Sequence, residues 1–148
     1  MREEVKVEEV KRRLRRYEVP FLGNQAYVVF NAIASCARLA DMNLLPKPEP
    51  ESALLITVVG THLYPLYRER GWGRVQEECE FLVKLFEQAP SFRELLLRIV
   101  RGEGFRKVVE FCFKLWEFKM ALRDEGWSAI VRAREELGDD AYEWIAVL

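Results

Sequence analysis

The sequence predicts an all-α protein, a single-domain bundle of five to eight helices, and three observations carry that expectation. Apolar residues recur at three- and four-residue steps through most of the chain, as in Val75, Cys79, Leu82 and Phe86. Nowhere do they alternate with polar residues over the length that a half-buried strand needs. Gly and Pro cut the chain into helix-sized pieces, at Pro20 and Gly23, at Pro46, Pro48 and Pro50, at Gly71 and Gly73, at Gly102 and Gly104, and at Gly126. With 148 residues, half of them apolar and about a third charged, the chain suffices for one domain with a real core.

The elements follow in order. Glu3 to Arg16 carries a thin stripe of Val7, Val10 and Leu14, with acids at its start and arginines at its end, as the helix dipole prefers. Residues 1–19 therefore read as a helix at the edge of the domain or as a basic arm. Asn24 caps a second helix to about Met42, apolar nearly all round, whose polar stripe is Asn31, Ser35 and Arg38. The alternating prolines 46, 48 and 50 make a stiff extended connector. Ser52 caps a third helix to about Arg70, which Pro65 kinks or restarts. A fourth runs from Arg74 to Gln88, and Ser91 to Glu94 forms a capping box for a fifth. Phe105 to Asp124 is a long, aromatic-rich sixth helix with one polar strip, Arg106, Glu110, Lys114 and Glu117, which reads as an intrahelical ion-pair ladder. A seventh helix follows from Ser128 to Leu137, and Asp139 caps a last short one carrying Tyr142 and Trp144.

Composition excludes much chemistry. Cys36, Cys79 and Cys112 lie far apart inside apolar runs, which fits neither a disulfide framework nor a zinc site and suits a reducing cytoplasm. The single histidine, His62, has no second histidine for metal binding or an acid–base relay; it reads as a half-buried residue bonded to a backbone carbonyl near Pro65, or as a ligand contact there. The four serines fall mostly at expected caps and turns, and Gly102-Glu103-Gly104 follows no strand. No catalytic residue, metal or cofactor is expected, and no enzyme. The start of the chain is charged from Arg2 without an apolar run, and no apolar stretch reaches membrane length, so a cytoplasmic protein is expected. Arginine outnumbers lysine about two to one, a thermophile's habit.

The basic residues remain. Arg12, Arg13, Arg15 and Arg16 form the densest cluster; Arg68, Arg70 and Arg74 bracket the Gly71–Gly73 turn; Arg98 and Arg101 share the fifth helix; Lys119 and Arg123 lie one turn apart on the sixth. Each is a candidate phosphate contact, and each is also what a solvated, salt-bridged surface looks like. The net charge of −1 conceals polarity: the chain is basic near its first helix and acidic at Glu135, Glu136, Asp139, Asp140 and Glu143.

Two stretches resemble the small α-helical subunit of Cmr-type (type III) CRISPR RNA-guided effector complexes. One is the helix that enters through Pro50-Glu51-Ser52-Ala53-Leu54-Leu55-Ile56 and continues with Gly60, Leu63 and Arg70-Gly71. The other opens with Phe105-Arg106 and ends in Leu115-Trp116-Glu117-Phe118-Lys119-Met120-Ala121. Pro65, Glu117 and the acidic C-terminal segment depart from that pattern. The resemblance implies a non-catalytic structural subunit that stacks along the guide–target duplex beside other subunits of the complex, with Arg70, Arg106 and Lys119 as its matched basic positions. Opposite charge at the two ends is compatible with head-to-tail self-association. The alternatives are a helical protein that coats nucleic acid by itself, of virion or nucleoid type, and a helical adaptor that binds only protein.

Overall fold

In the computed structural model, which describes residues 2–19 and 23–148 and the side chains of 7–15, 17 and 25–148, the chain is helical almost throughout. The α-helices are α1 (Arg2–Leu14), α2 (Ala26–Asp41), α3 (Pro50–His62), α4 (Tyr64–Arg70), α5 (Trp72–Phe86), α6 (Pro90–Val100), α7 (Glu103–Glu125), α8 (Trp127–Leu137) and α9 (Ala141–Val147). Short 3₁₀ turns occupy Arg15–Tyr17 and Gly138–Asp140. A two-residue antiparallel pair joins β1 (Glu18–Val19) to β2 (Gly23–Asn24), Glu18 opposite Asn24. The all-α expectation holds, and its third helix is two: Pro65 has no N–H to give, so the ladder stops at His62 and restarts one residue later. Leu63 serves both halves, donating to the Val59 carbonyl at 2.9 Å and accepting from Tyr67 at 3.1 Å.

The helix starts lie a residue or two from the expected caps: α2, α8 and α9 follow Gln25, Gly126 and Asp140 and not Asn24, Ser128 and Asp139, and at α3 and α6 the reason is proline. Proline stands at the first turn of α3 and of α6, where its missing N–H is no loss, so Pro50 and Pro90 open these helices ahead of Ser52 and Ser91. Ser52 is consequently buried inside α3. No side chain caps α2 to α9 by a hydrogen bond. The turn between α4 and α5 uses Gly71 at φ +81°, a conformation that L side chains avoid.

The core lies where α2, α3 and α7 pack on one another, with α5 and α6 against α2 and with α8 and α9 closing the far end. Its large buried side chains include Ile33, Ile56, Leu82, Phe105, Phe113, Leu115 and Trp144. The close approach of α3 to α7 depends on Gly60: a Cβ there would stand 2.1 Å from Cδ2 of Trp116. The two stretches that carry the family resemblance thus meet face to face in one helix contact. The three cysteines are free and buried, and they converge from α2, α5 and α7. A hydrogen bond with Cys36, and burial, push the Cys112 thiol well up; burial and the nearness of Cys36 do the same to Cys79. Thiols in that state are poor nucleophiles.

Candidate nucleic-acid interface

The basic cluster spans the end of α1 and the 3₁₀ turn after it, and it divides by helical rotation. Arg12 and Arg15 are exposed, and no carboxylate among the described residues lies within 4 Å of either. Arg13 turns the other way. It falls three residues after Val10 on the thin apolar stripe, and its side chain is only 16% exposed. Its guanidinium lies over the Phe81 ring of α5, 3.8 Å from the centroid, and its Nη2 is 3.7 Å from Oε1 of both Glu77 and Glu78. Arg13 therefore faces the protein's own carboxylates and does not belong to the outward basic surface. The side chain of Arg16 lies outside the described residues.

Arg74 is the second inward cation. It donates from Nη2 to Oε2 of Glu78 at 2.8 Å, one turn along α5, while Glu78 itself is fully buried. Several further candidates are engaged at the surface by neighbouring acids. Arg101 meets Glu80 at 2.7 Å, Arg106 meets Glu110 at 3.1 Å, Arg123 meets Asp124 at 3.4 Å and Arg70 meets Glu69 at 3.8 Å. Lys119 donates to the Thr57 hydroxyl at 3.3 Å, across the α3–α7 contact. Arg98 and Arg68 are exposed and have no ion pair among the described residues, and Arg68 lies near enough to the Tyr64 hydroxyl to oppose the rise in its pKa. Of the eleven positions whose side chains are described, Arg13 and Arg74 turn inward, so the candidates do not form one outward surface. Arg12, Arg15, Arg68, Arg98 and Lys119 are those without a carboxylate partner within 4 Å among the described side chains, and Lys119 is held instead by the Thr57 hydroxyl.

The ladder expected on α7 is rebuilt by tertiary contacts. Glu110 keeps Arg106, but Tyr67 also donates to it at 2.9 Å, and Tyr64 donates to Glu117 at 2.8 Å. Burial and the bond to Glu117 raise the pKa of Tyr64; the bond to Glu110 raises that of Tyr67 first, then burial. Both phenols stay protonated and hold α4 on α7. Lys114, flanked in sequence by these carboxylates, is exposed and has no ion pair among the described residues. It lines a groove of about 730 Å³ with Lys107, Tyr67, Leu44, Leu45 and Glu136.

A second surface was not singled out from sequence. Trp127 is 71% exposed, and Val131, one turn along α8, and Tyr142 of α9 are 48% and 52% exposed. They line a shallow depression of about 410 Å³ in which the Arg134 guanidinium lies 5.7 Å from the Tyr142 ring centroid. The signal was available in the spacing of Trp127 and Val131, which places both on one helix face. The acids expected at this end, Glu135, Glu136, Asp139, Asp140 and Glu143, are all exposed.

His62 is half-buried at the end of α3. Its ring centroid stands 5.7 Å from that of Tyr17, and no carbonyl among the described residues accepts a hydrogen bond from it. Burial lowers its pKa below the ordinary 6.5. The unfolded chain therefore takes up its proton at a higher pH than the folded one, so folding stability declines as pH falls through 6.5 toward the folded value. In urea titrations at a series of pH values between 7.5 and 5, wild type should lose more stability than His62→Gln on acidification. Parallel losses would rule this linkage out.

Among the described residues no group of His, Cys, Asp and Glu is placed to hold a metal ion, and no helix is long and apolar enough to cross a membrane. Comparison with protein-family models, with curated proteins and with solved structures gives no match to this chain.

Proposed function

We propose that the protein is a non-catalytic structural subunit of an RNA-guided complex of the CRISPR type, lying along the guide–target nucleic acid and holding its backbone. The observation that carries this reading is the outward side of α1 and of the 3₁₀ turn that follows it, where Arg12 and Arg15 stand three residues apart, exposed and with no carboxylate within 4 Å among the described residues, while Arg13 between them turns inward over the Phe81 ring of α5. Exposed cations presented as a pair suit phosphates, whose contacts are made by charge and position and not by base identity. The resemblance in the α3 and α7 segments supports the same reading, as does the exposed acidic far end, which suits contact with the basic end of a neighbouring copy.

A second reading, a helical adaptor for protein partners, is favoured by the exposed Trp127, Val131 and Tyr142 and by the pairing of Arg70, Arg101, Arg106 and Arg123 with neighbouring acids. Gel-shift titrations with single- and double-stranded RNA and DNA at two salt concentrations separate the two. The nucleic-acid reading expects affinity to fall steeply with salt, and an Arg12→Ala/Arg15→Ala variant to flatten the log–log slope by about 2. If wild type shows no binding even at low salt, the adaptor reading stands in its place.

A further inference from the structure

The root of α1 is firm. Tyr17 is buried, and its carbonyl accepts a hydrogen bond from the Gln25 N–H at 2.8 Å. Ahead of that root, α1 rests on the body through its last turn, where Leu14 leans on the core and Arg13 reaches α5. Further out, Val7 is half exposed, and Glu8 and Lys11 pair loosely in solvent at 3.8 Å.

The Arg13 contact is looser than its setting suggests. At 3.7 Å its Nη2 lies beyond hydrogen-bond reach of Glu77 and Glu78, whereas Arg74 holds the other oxygen of Glu78 at 2.8 Å from within α5. When Arg13 departs, the buried carboxylate keeps its close cation, so an empty seat does not leave an unpaired charge in the core. The seated Arg13, with Phe81, Glu77, Glu80, Gln76 and Lys84, lines a depression of about 500 Å³ beside it. It offers one aromatic face and two acids, Glu77 and the Arg101-paired Glu80, with Lys84 at its edge.

We propose that α1 is an exchangeable arm, and that the seat on α5 takes Arg13 from a second copy of this chain as well as from its own. An exchange of this kind reuses the same ring and the same carboxylates and alters only which body the arm belongs to. Reciprocal exchange closes a pair; one-way exchange leaves a free arm and a free seat, and chains of copies grow from them. The inference stands apart from whatever Arg12 and Arg15 hold, since both face away from the seat.

Two full-length variants test it. Arg13→Glu keeps a sound seat but carries an arm that Glu77 and Glu78 repel. Glu77→Lys/Phe81→Ala keeps a sound arm but has a seat that repels it; if circular dichroism shows this chain unfolded, Glu77→Lys alone replaces it. Amide exchange at residues 7–14 and sedimentation are read for each chain and for their equimolar mixture. Alone, each variant should be monomeric, with α1 exchanging about tenfold faster than in wild type. Mixed, the arms of the seat-broken chain should regain protection, and a species of twice the mass should sediment. A mixture that behaves as the average of its components overturns the proposal, and so does an Arg13→Glu chain whose α1 is as protected as wild type.

Discussion

Gly60→Ala is expected to destabilise the protein by about 3 kcal/mol or more, a fall in Tm on the order of 10 °C for a chain of this size. The added methyl would lie 2.1 Å from Trp116 Cδ2 and 2.3 Å from Cγ, against the root of the indole and not its far edge. A flexible side chain meeting the methyl end-on could swing aside. An indole met at Cγ must move as a whole, taking the α3–α7 spacing with it. The effect belongs to that contact, so Trp116→Leu should cost less in the Gly60→Ala background than in wild type. Thermal unfolding of the four chains of the cycle measures this. Additive losses would place the strain elsewhere.

Glu78→Ala is the second large effect, at about 3–5 kcal/mol, because removing one member of a buried ion pair strands the others. Arg74 and Arg13, each less than a fifth exposed, would face the loss of a carboxylate that is itself fully buried. Glu77 stands next to it in sequence but is 65% exposed, and Glu77→Ala should change stability by less than about 1 kcal/mol. Combining Arg74→Met with Glu78→Leu should recover much of the single-variant loss, since apolar packing commonly replaces a buried pair at little cost. Urea unfolding compares all four chains. Equal losses for Glu77→Ala and Glu78→Ala would mean that burial of the carboxylate does not govern the contact.

Helix periodicity made the architecture legible, and tertiary contact decided what periodicity could not see. Pro65 was readable as a break because proline's missing N–H is a local fact. The starts of α3 and α6 were misplaced because two local rules competed, and proline at the first turn prevailed over serine as cap. The ladder on α7 kept its Arg106–Glu110 rung but not the rungs of Lys114, because its carboxylates also bond Tyr64 and Tyr67, which belong to another helix. On α1, sequence adjacency grouped Arg13 with Arg12 and Arg15, yet its spacing from Val10 already placed it on the buried stripe. The family-like stretches were informative about packing, since Gly60 and Trp116 touch. Their basic positions, Arg70, Arg106 and Lys119, proved to be bonded within the chain.

The exposure of Trp127 has an optical meaning. The chain has four tryptophans, and their surroundings differ sharply: Trp144 is 1% exposed in the core, Trp72 and Trp116 are partly buried, and Trp127 is 71% exposed. Emission from Trp127 is therefore open to aqueous quenchers, and that from Trp144 is shielded. One indole reports on the α8–α9 surface while another reports on the integrity of the core. The chain carries, without labelling, separate signals for being covered and for coming apart.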